Sequence, residues 1–243
     1  GSPVTLCDAL VDGGFSWTAD NRILQGSGEN IMWVSADGGK LEPLFEEKGK
    51  ILGVPQMLPD GKSVLFTAGA GPPHTVMVRS LESGESKELF EGGFARYIET
   101  GHIVYGVGHN LYARPFDLRT LEVTAGPVSV IEGVLNPSFF WSYAVSNSGT
   151  LMYVPGTAAT TGLKRSLVWV DREGKEESIA ALPDEYRSLK ISPDGTQVAL
   201  SIYAGGNQDI HIWDMARERM MKLTFDTSDD VWPIWTPDGT SIV

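Results

Sequence analysis

Short apolar runs broken by glycine give the first reading of this chain. Val198, Leu200 and Ile202 recur at every second position, Ala204-Gly205-Gly206-Asn207 interrupts them, and Ile210 and Ile212 then alternate with His211 and Trp213. A period of two sends successive side chains to opposite faces of an extended backbone, so these runs predict β-strands. Tyr186–Ile191 predicts a strand before them and residues 219–224 one after. Residues 215–223 are rich in Met, Arg, Glu and Lys and would, by themselves, suit a short helix. The repeat described next assigns them to a strand instead.

A turn phrase recurs through the chain: Leu58-Pro59-Asp60-Gly61, Ser192-Pro193-Asp194-Gly195 and Thr236-Pro237-Asp238-Gly239. Proline presets φ at the second position, aspartate caps its own backbone, and glycine accepts positive φ, so each phrase reverses the chain tightly. Pro193 and Pro237 stand 44 residues apart, and Pro59 lies about three such periods before Pro193. Weaker copies fall where that period puts them, at Glu99-Thr100-Gly101 and Asn147-Ser148-Gly149, with Ala19-Asp20-Asn21 upstream. Six turns at a period of about 44, each set among strands, predict a β-propeller of four-stranded blades.

The third strand of the unit repeats as Ile31-Met32-Trp33-Val34, Val76-Met77-Val78-Arg79, Leu111-Tyr112-Ala113-Arg114, Leu167-Val168-Trp169-Val170 and Ile210-His211-Ile212-Trp213. Turn signals follow at Asp37-Gly38-Gly39, Ser83-Gly84 and Arg172-Glu173-Gly174. The expected architecture is therefore all-β, one propeller domain over 1–243 with about six blades of four-stranded antiparallel sheet. The blades fall near 13–46, 49–91, 92–133, 134–182 and 183–225, and the last is assembled from 226–243 plus 3–8.

With these residues in hand, the chain resembles the TolB-type, WD-repeat-like propellers, through Ser192-Pro193-Asp194-Gly195, the strand Asp209-Ile210-His211-Ile212-Trp213-Asp214, and Trp235-Thr236-Pro237-Asp238-Gly239. More narrowly, Val168-Trp169-Val170-Asp171, Tyr186-Arg187 and Leu223-Thr224-Phe225-Asp226 resemble the propeller region behind the membrane span of bacterial serine/threonine kinases of the acidobacterial kind. That resemblance implies a fragment of a longer protein and a location outside the cytoplasm. The chain has no Gly-rich phosphate loop, no His-Arg-Asp and no Asp-Phe-Gly, so it implies no kinase activity here.

Composition narrows the function classes. With 243 residues, 42% of them apolar and 21% charged, the chain can bury a large core. The net charge of −12 repels phosphate backbones, and no basic stripe with interleaved aromatics occurs, so nucleic-acid binding is not expected. No apolar run reaches the roughly 18 residues of a membrane helix. The single cysteine, Cys7, excludes an internal disulfide framework. Gly1-Ser2 reads as a tag remnant, so the lack of a signal peptide carries no information.

Candidate chemistry is sparse. No Gly-x-Ser-x-Gly elbow is present, and Gly26-Ser27-Gly28 reads as a turn. Asp226, Asp229 and Asp230 lack the alternating spacing and distal Glu of a calcium loop. His74, His102, His109 and His211 are scattered, and His211 occupies a strand column. No catalytic residue, metal or cofactor is therefore expected, and the chain is expected not to be an enzyme. Trp17, Tyr97 and Trp235 share the column of Met57 and Ile191 and read as core. Trp141, Tyr186, Arg187, Asp230 and Trp232 gather instead near the start of the inner strands, where a propeller opens its central channel. Aromatic and arginine anchors dominate binding hot spots, so these five are the candidate binding residues for a protein or peptide, or a small ligand. The competing readings are a gating propeller of a peptidase whose catalytic domain lies elsewhere, told apart by a nucleophile elbow downstream, and a purely architectural scaffold.

One further expectation concerns the termini. Residues 3–7 precede Trp17 by about the distance that Leu223 precedes Trp235, so they read as the fourth strand of a blade begun by residues 231–235 and 240–243. The third strand of that blade is missing, so the strand from Thr240 to Val243 is expected to present a bare edge that recruits another chain.

Overall fold

The computed structural model describes residues 5–8, 13–136, 141–156, 164–171 and 174–243. Every regular element among them is a strand. The first sheet is a meander of β1 (Phe15–Trp17), β2 (Arg22–Ser27), β3 (Asn30–Ser35) and β4 (Glu42–Glu46), and the second repeats it with β5 (Leu52–Met57), β6 (Ser63–Ala68), β7 (Thr75–Ser80) and β8 (Ser86–Glu91). The third runs β9 (Gly93–Ile98), β10 (His102–Val107), β11 (Asn110–Asp117) and β12 (Glu122–Val123), and β13 (Val128–Ile131) also pairs with β11. The fourth is β14 (Tyr143–Val145), β15 (Leu151–Tyr153), β16 (Val168–Val170) and β17 (Glu176–Ser178). The fifth is β18 (Tyr186–Ile191), β19 (Gln197–Ala204), β20 (Asn207–Asp214) and β21 (Arg219–Lys222).

The chain divides into two units, one of residues 1–97 with 114–126 and one of residues 98–113 with 127–243. In the first unit, Leu24 and Ile31 of the first sheet pack with Leu52, Val64, Phe66 and Met77 of the second. In the second, Met152, Val154 and Leu167 pack with Leu189, Val198, Leu200 and Trp213. In both units the second strand of a sheet lies inside. Every residue of β6 is buried, and Val198, Ala199, Leu200, Ser201 and Ile202 of β19 are buried in succession. The period-two pattern of Val198, Leu200 and Ile202 therefore marks one face only. Small Ala199 and Ser201 fill the other, because a sheet packed on both sides leaves no strand face for water. Outer strands are polar, as in β17, which is exposed throughout.

All six expected turns are present and share one closing bond. Asn21, Gly61, Gly101, Gly149, Gly195 and Gly239 donate their amides to the carbonyls of Thr18, Leu58, Ile98, Ser146, Ser192 and Thr236. Gly61, Gly195 and Gly239 have φ of 64°, 75° and 68°, the left-handed region that the Pro-Asp-Gly phrase requires. Asp60, Asp194 and Asp238 each accept amide bonds from the residues after them, which fixes the reversal.

The blade count differs from the expected six. The described residues form five sheets, and of the sixth unit they supply a hairpin closed by one bridge, Trp235 to Ile242. Trp232, with φ of 57°, is followed by Pro233 just as Val54, with φ of 53°, is followed by Pro55 inside β5, so this pair does not by itself prevent a strand. Residues 5–8, expected as a fourth strand, are not in a strand, although Leu6 accepts a bond from the Gly39 amide. Residues 3 and 4 of that expected strand, and Arg172 and Glu173 of a predicted turn, lie outside the described residues.

Candidate functional site

Inner strands of neighbouring repeats are tied to each other by side chains at the repeat spacing. In the first unit Gln56 clamps Tyr97, accepting from its amide at 2.8 Å and donating to its carbonyl at 3.0 Å. In the second, Ser142 Oγ donates to the Arg187 carbonyl at 2.9 Å and Trp235 Nε1 to the Lys190 carbonyl at 3.0 Å. Each bond satisfies a backbone group that the neighbouring strand leaves open.

A second regularity lies four residues before the turn residue whose carbonyl accepts the closing bond, in four of the six repeats. Gly14, Val54, Phe94 and Trp232 occupy this repeat position and all have positive φ, 73°, 53°, 53° and 57°. Glycine carries that conformation freely, whereas valine, phenylalanine and tryptophan are strained in it. In the second sheet the strand register shifts between Gly53 and Gln56, so the strained residue sits in a β-bulge.

The five predicted binding residues separate into two groups. Trp141 is 5% exposed, and its Nε1 donates to the Gly108 carbonyl at 3.0 Å. Tyr186 is 1% exposed, and its hydroxyl donates to the Leu182 carbonyl at 2.5 Å. Burial, with the nearby Asp184 carboxylate adding to it, pushes the Tyr186 phenol up to about 12. These two side chains pack the interior of the second unit and present little surface. Arg187, Asp230 and Trp232 are half-buried. Arg187 pairs with Glu185 and sets its guanidinium 6.0 Å from the ring centre of Tyr203. Asp230 donates its amide to the Gln208 carbonyl at 2.8 Å, and its buried Oδ2 has no hydrogen-bond partner among the described residues.

Glu185, Tyr203 and Arg165 belong to this region although no sequence motif marks them. The Tyr203 amide donates to the Glu185 carbonyl, which brings the end of β19 beside the start of β18. Arg165, 7% exposed, has its pKa lowered by burial first and by the charge of Arg187 second, against which Glu185 acts. Only pairing across the sheet brings residues 165, 187 and 203 together, so periodicity could not reveal the group. Asp226 and Asp229 of the acidic cluster hold loops: the Gln208 amide bonds Asp229 Oδ1 at 2.7 Å, and Asn207 donates to the Asp226 carbonyl. His211 is a half-buried strand residue whose Nδ1 lies 3.3 Å from the Asp209 carbonyl oxygen. No helix among the described residues is long and apolar enough to cross a membrane.

No family model and no curated protein matches this chain. Solved structures do. TolB from Acinetobacter baumannii is 21% identical with a TM-score of 0.69, over 89% of this chain and 55% of that one. A putative TolB from Agrobacterium tumefaciens is 14% identical with a TM-score of 0.65, over 84% and 72%. The chain has the TolB-type β-propeller fold, and it spans about half the length of the Acinetobacter protein. Kuenenia stuttgartiensis hydrazine synthase matches at 14% identity and a TM-score of 0.62, over 94% of this chain and 72% of that one. An oligogalacturonate lyase in complex with manganese and a puromycin hydrolase match as well, at 13% and 15% identity. These enzymes overturn the expectation that the chain is not an enzyme: the fold is found in enzyme chains, so missing hydrolase and kinase motifs do not make it inert.

Proposed function

We propose that this propeller is a recognition module for a protein or peptide, working outside the cytoplasm as the resemblance to TolB-type and kinase-linked propellers implies. The observation that carries the reading is the group at the start of β18. There Arg187, with a side chain 28% exposed, is oriented by Glu185 and lies over Tyr203, itself 40% exposed. An arginine held over a tyrosine by a carboxylate is pre-organised, so a ligand meets a fixed cation and an aromatic face without first ordering them.

The test is a peptide-array screen with the protein, followed by titration of the best peptide. Arg187→Ala combined with Tyr203→Ala is expected to weaken binding at least about tenfold, roughly 1.4 kcal/mol, while Lys62→Ala leaves it unchanged. Unaltered binding by the double variant would place recognition elsewhere.

A second reading, a gating propeller of a peptidase, is favoured by one observation: the match to the puromycin hydrolase covers 98% of this chain but 43% of that one. Self-association through residues 240–243 is a further part of the proposal. Val243 and Ile234 exchange both backbone bonds, so one edge of this segment is already paired. Light scattering across a concentration series tests whether the other recruits a second copy.

A further inference from the structure

The second unit carries a cleft at the opposite end of β18 from Arg187. Its volume is about 440 Å³, and Glu99, Asn147, Trp169, Ile191, Pro193 and Asp194 line it. Three successive turns meet here. Asn147 Nδ2, from the fourth sheet's turn, donates to Glu99 Oε1 of the third at 3.0 Å, and the fifth turn supplies Pro193 and Asp194. The fourth turn reads Ser-Asn-Ser-Gly and not Ser-Pro-Asp-Gly, so one rim position holds an amide in place of a rigid ring.

Part of the hydrogen-bonding capacity of this rim is used inside it. Besides the Asn147 amide, Ser146 Oγ and Ser148 Oγ face each other at 2.9 Å. Ser192 Oγ and Thr196 Oγ1 both donate to Asp194, at 2.6 and 2.8 Å. The two carboxylates keep acceptor capacity: each offers about four acceptor positions, of which Asn147 fills one on Glu99 and the turn fills three on Asp194. None of the described lining residues is Lys, Arg or His. Trp169 adds an indole, half-buried against the core of the fourth and fifth sheets.

We propose that this cleft binds an extended basic peptide segment of a partner protein, seating an arginine or lysine side chain between the Glu99 and Asp194 carboxylates and the Trp169 indole. A cation supplies donors only and takes a ring face, which matches what the cleft leaves open. The net charge of −12 draws such a segment in. The site lies apart from the Arg187 group and stands whether or not that group binds a ligand.

The experiment is fluorescence anisotropy of a labelled peptide alternating arginine and glycine, titrated with the protein at low and moderate salt. Glu99→Gln, an exposed change that leaves the core intact, is expected to weaken binding about threefold, and Glu99→Gln with Trp169→Leu at least about tenfold. Glu42→Gln with Glu46→Gln, on exposed positions of β4, removes two charges and is expected to stay within about twofold. Arg187→Ala is expected to leave this binding unchanged, which separates it from the proposed recognition face. No binding, full binding by the Glu99→Gln protein, or equal losses in the cleft and β4 variants would overturn the proposal.

Discussion

The indole of Trp141 occupies the space above Gly106: a Cβ added at Gly106 would stand inside the indole's contact distance, against Cε2 and Cδ2. The indole Nε1 is anchored two residues on, at the Gly108 carbonyl. Trp141, a candidate binding residue by its place in the repeat, is a buried wedge that requires glycine opposite it. Gly106→Ala is expected to destabilise the protein by about 1–3 kcal/mol through overpacking, and Trp141→Ala by about 3–5 kcal/mol. Urea unfolding monitored by circular dichroism measures both.

At the fifth turn the strain would lie in the backbone. Gly195 has φ of 75° and nothing within 4 Å of where a Cβ would be, so Gly195→Val is expected to cost about 1–2 kcal/mol through conformation alone. Gly195→Asn is expected to cost less, since asparagine tolerates this region. Lys62→Ala, whose partner Glu82 is equally exposed, is expected to change the melting temperature by less than about 2 °C.

Glu218 invites the reverse change. It is exposed with φ of 47°, a conformation that costs a non-glycine residue about 1 kcal/mol. Glu218→Gly is therefore expected to leave stability unchanged or raise it slightly, where glycine at an ordinary strand position would lower it. A parallel thermal melt of Glu218→Gly and Gln197→Gly shows the contrast.

Acid is expected to loosen the turns. Hydrogen bonds from Arg22 to Asp20, from Ser192 to Asp194 and from Thr236 to Asp238 are the largest cause holding each carboxyl below its ordinary range. A carboxyl depressed in the folded protein contributes stability that is full above its unfolded value, near 4, and is lost as pH falls through the folded one. The urea midpoint is thus expected to drop on acidification below about pH 4. Asp194→Asn with Asp238→Asn is expected to make that drop shallower.

Lys222 Nζ lies 2.7 Å from Asp209 Oδ2, and Asp209 is 2% exposed. Lys222→Met strands a buried carboxylate and is expected to cost about 3 kcal/mol or more. Adding Asp209→Leu is expected to recover much of the loss, which equilibrium unfolding of the single and double variants decides.

The repeat was legible because it rests on local chemistry. Pro, Asp and Gly in one phrase admit one kind of reversal, so all six turns, including the degenerate ones at Gly101 and Gly149, stand where the period puts them. The third-strand column was equally readable, since Ile31, Val76, Leu111 and Ile210 are each buried against their own sheet. Whether a sixth sheet forms is not local: the hairpin bridged at Trp235 and Ile242 needs further strands to pair with it, and a period cannot supply that pairing. The same holds for the sites. A column of Trp141, Arg187 and neighbours says which residues share a height, but burial is set by what packs across the sheet, and it took Trp141 and Tyr186 inside while leaving Arg187 on Tyr203. Glu99, Trp169 and Asp194 come from three different repeats and carry no motif. Only the stacking of three turns gathers them around one cleft, because tertiary packing alone fixes distances between residues that local chemistry leaves independent.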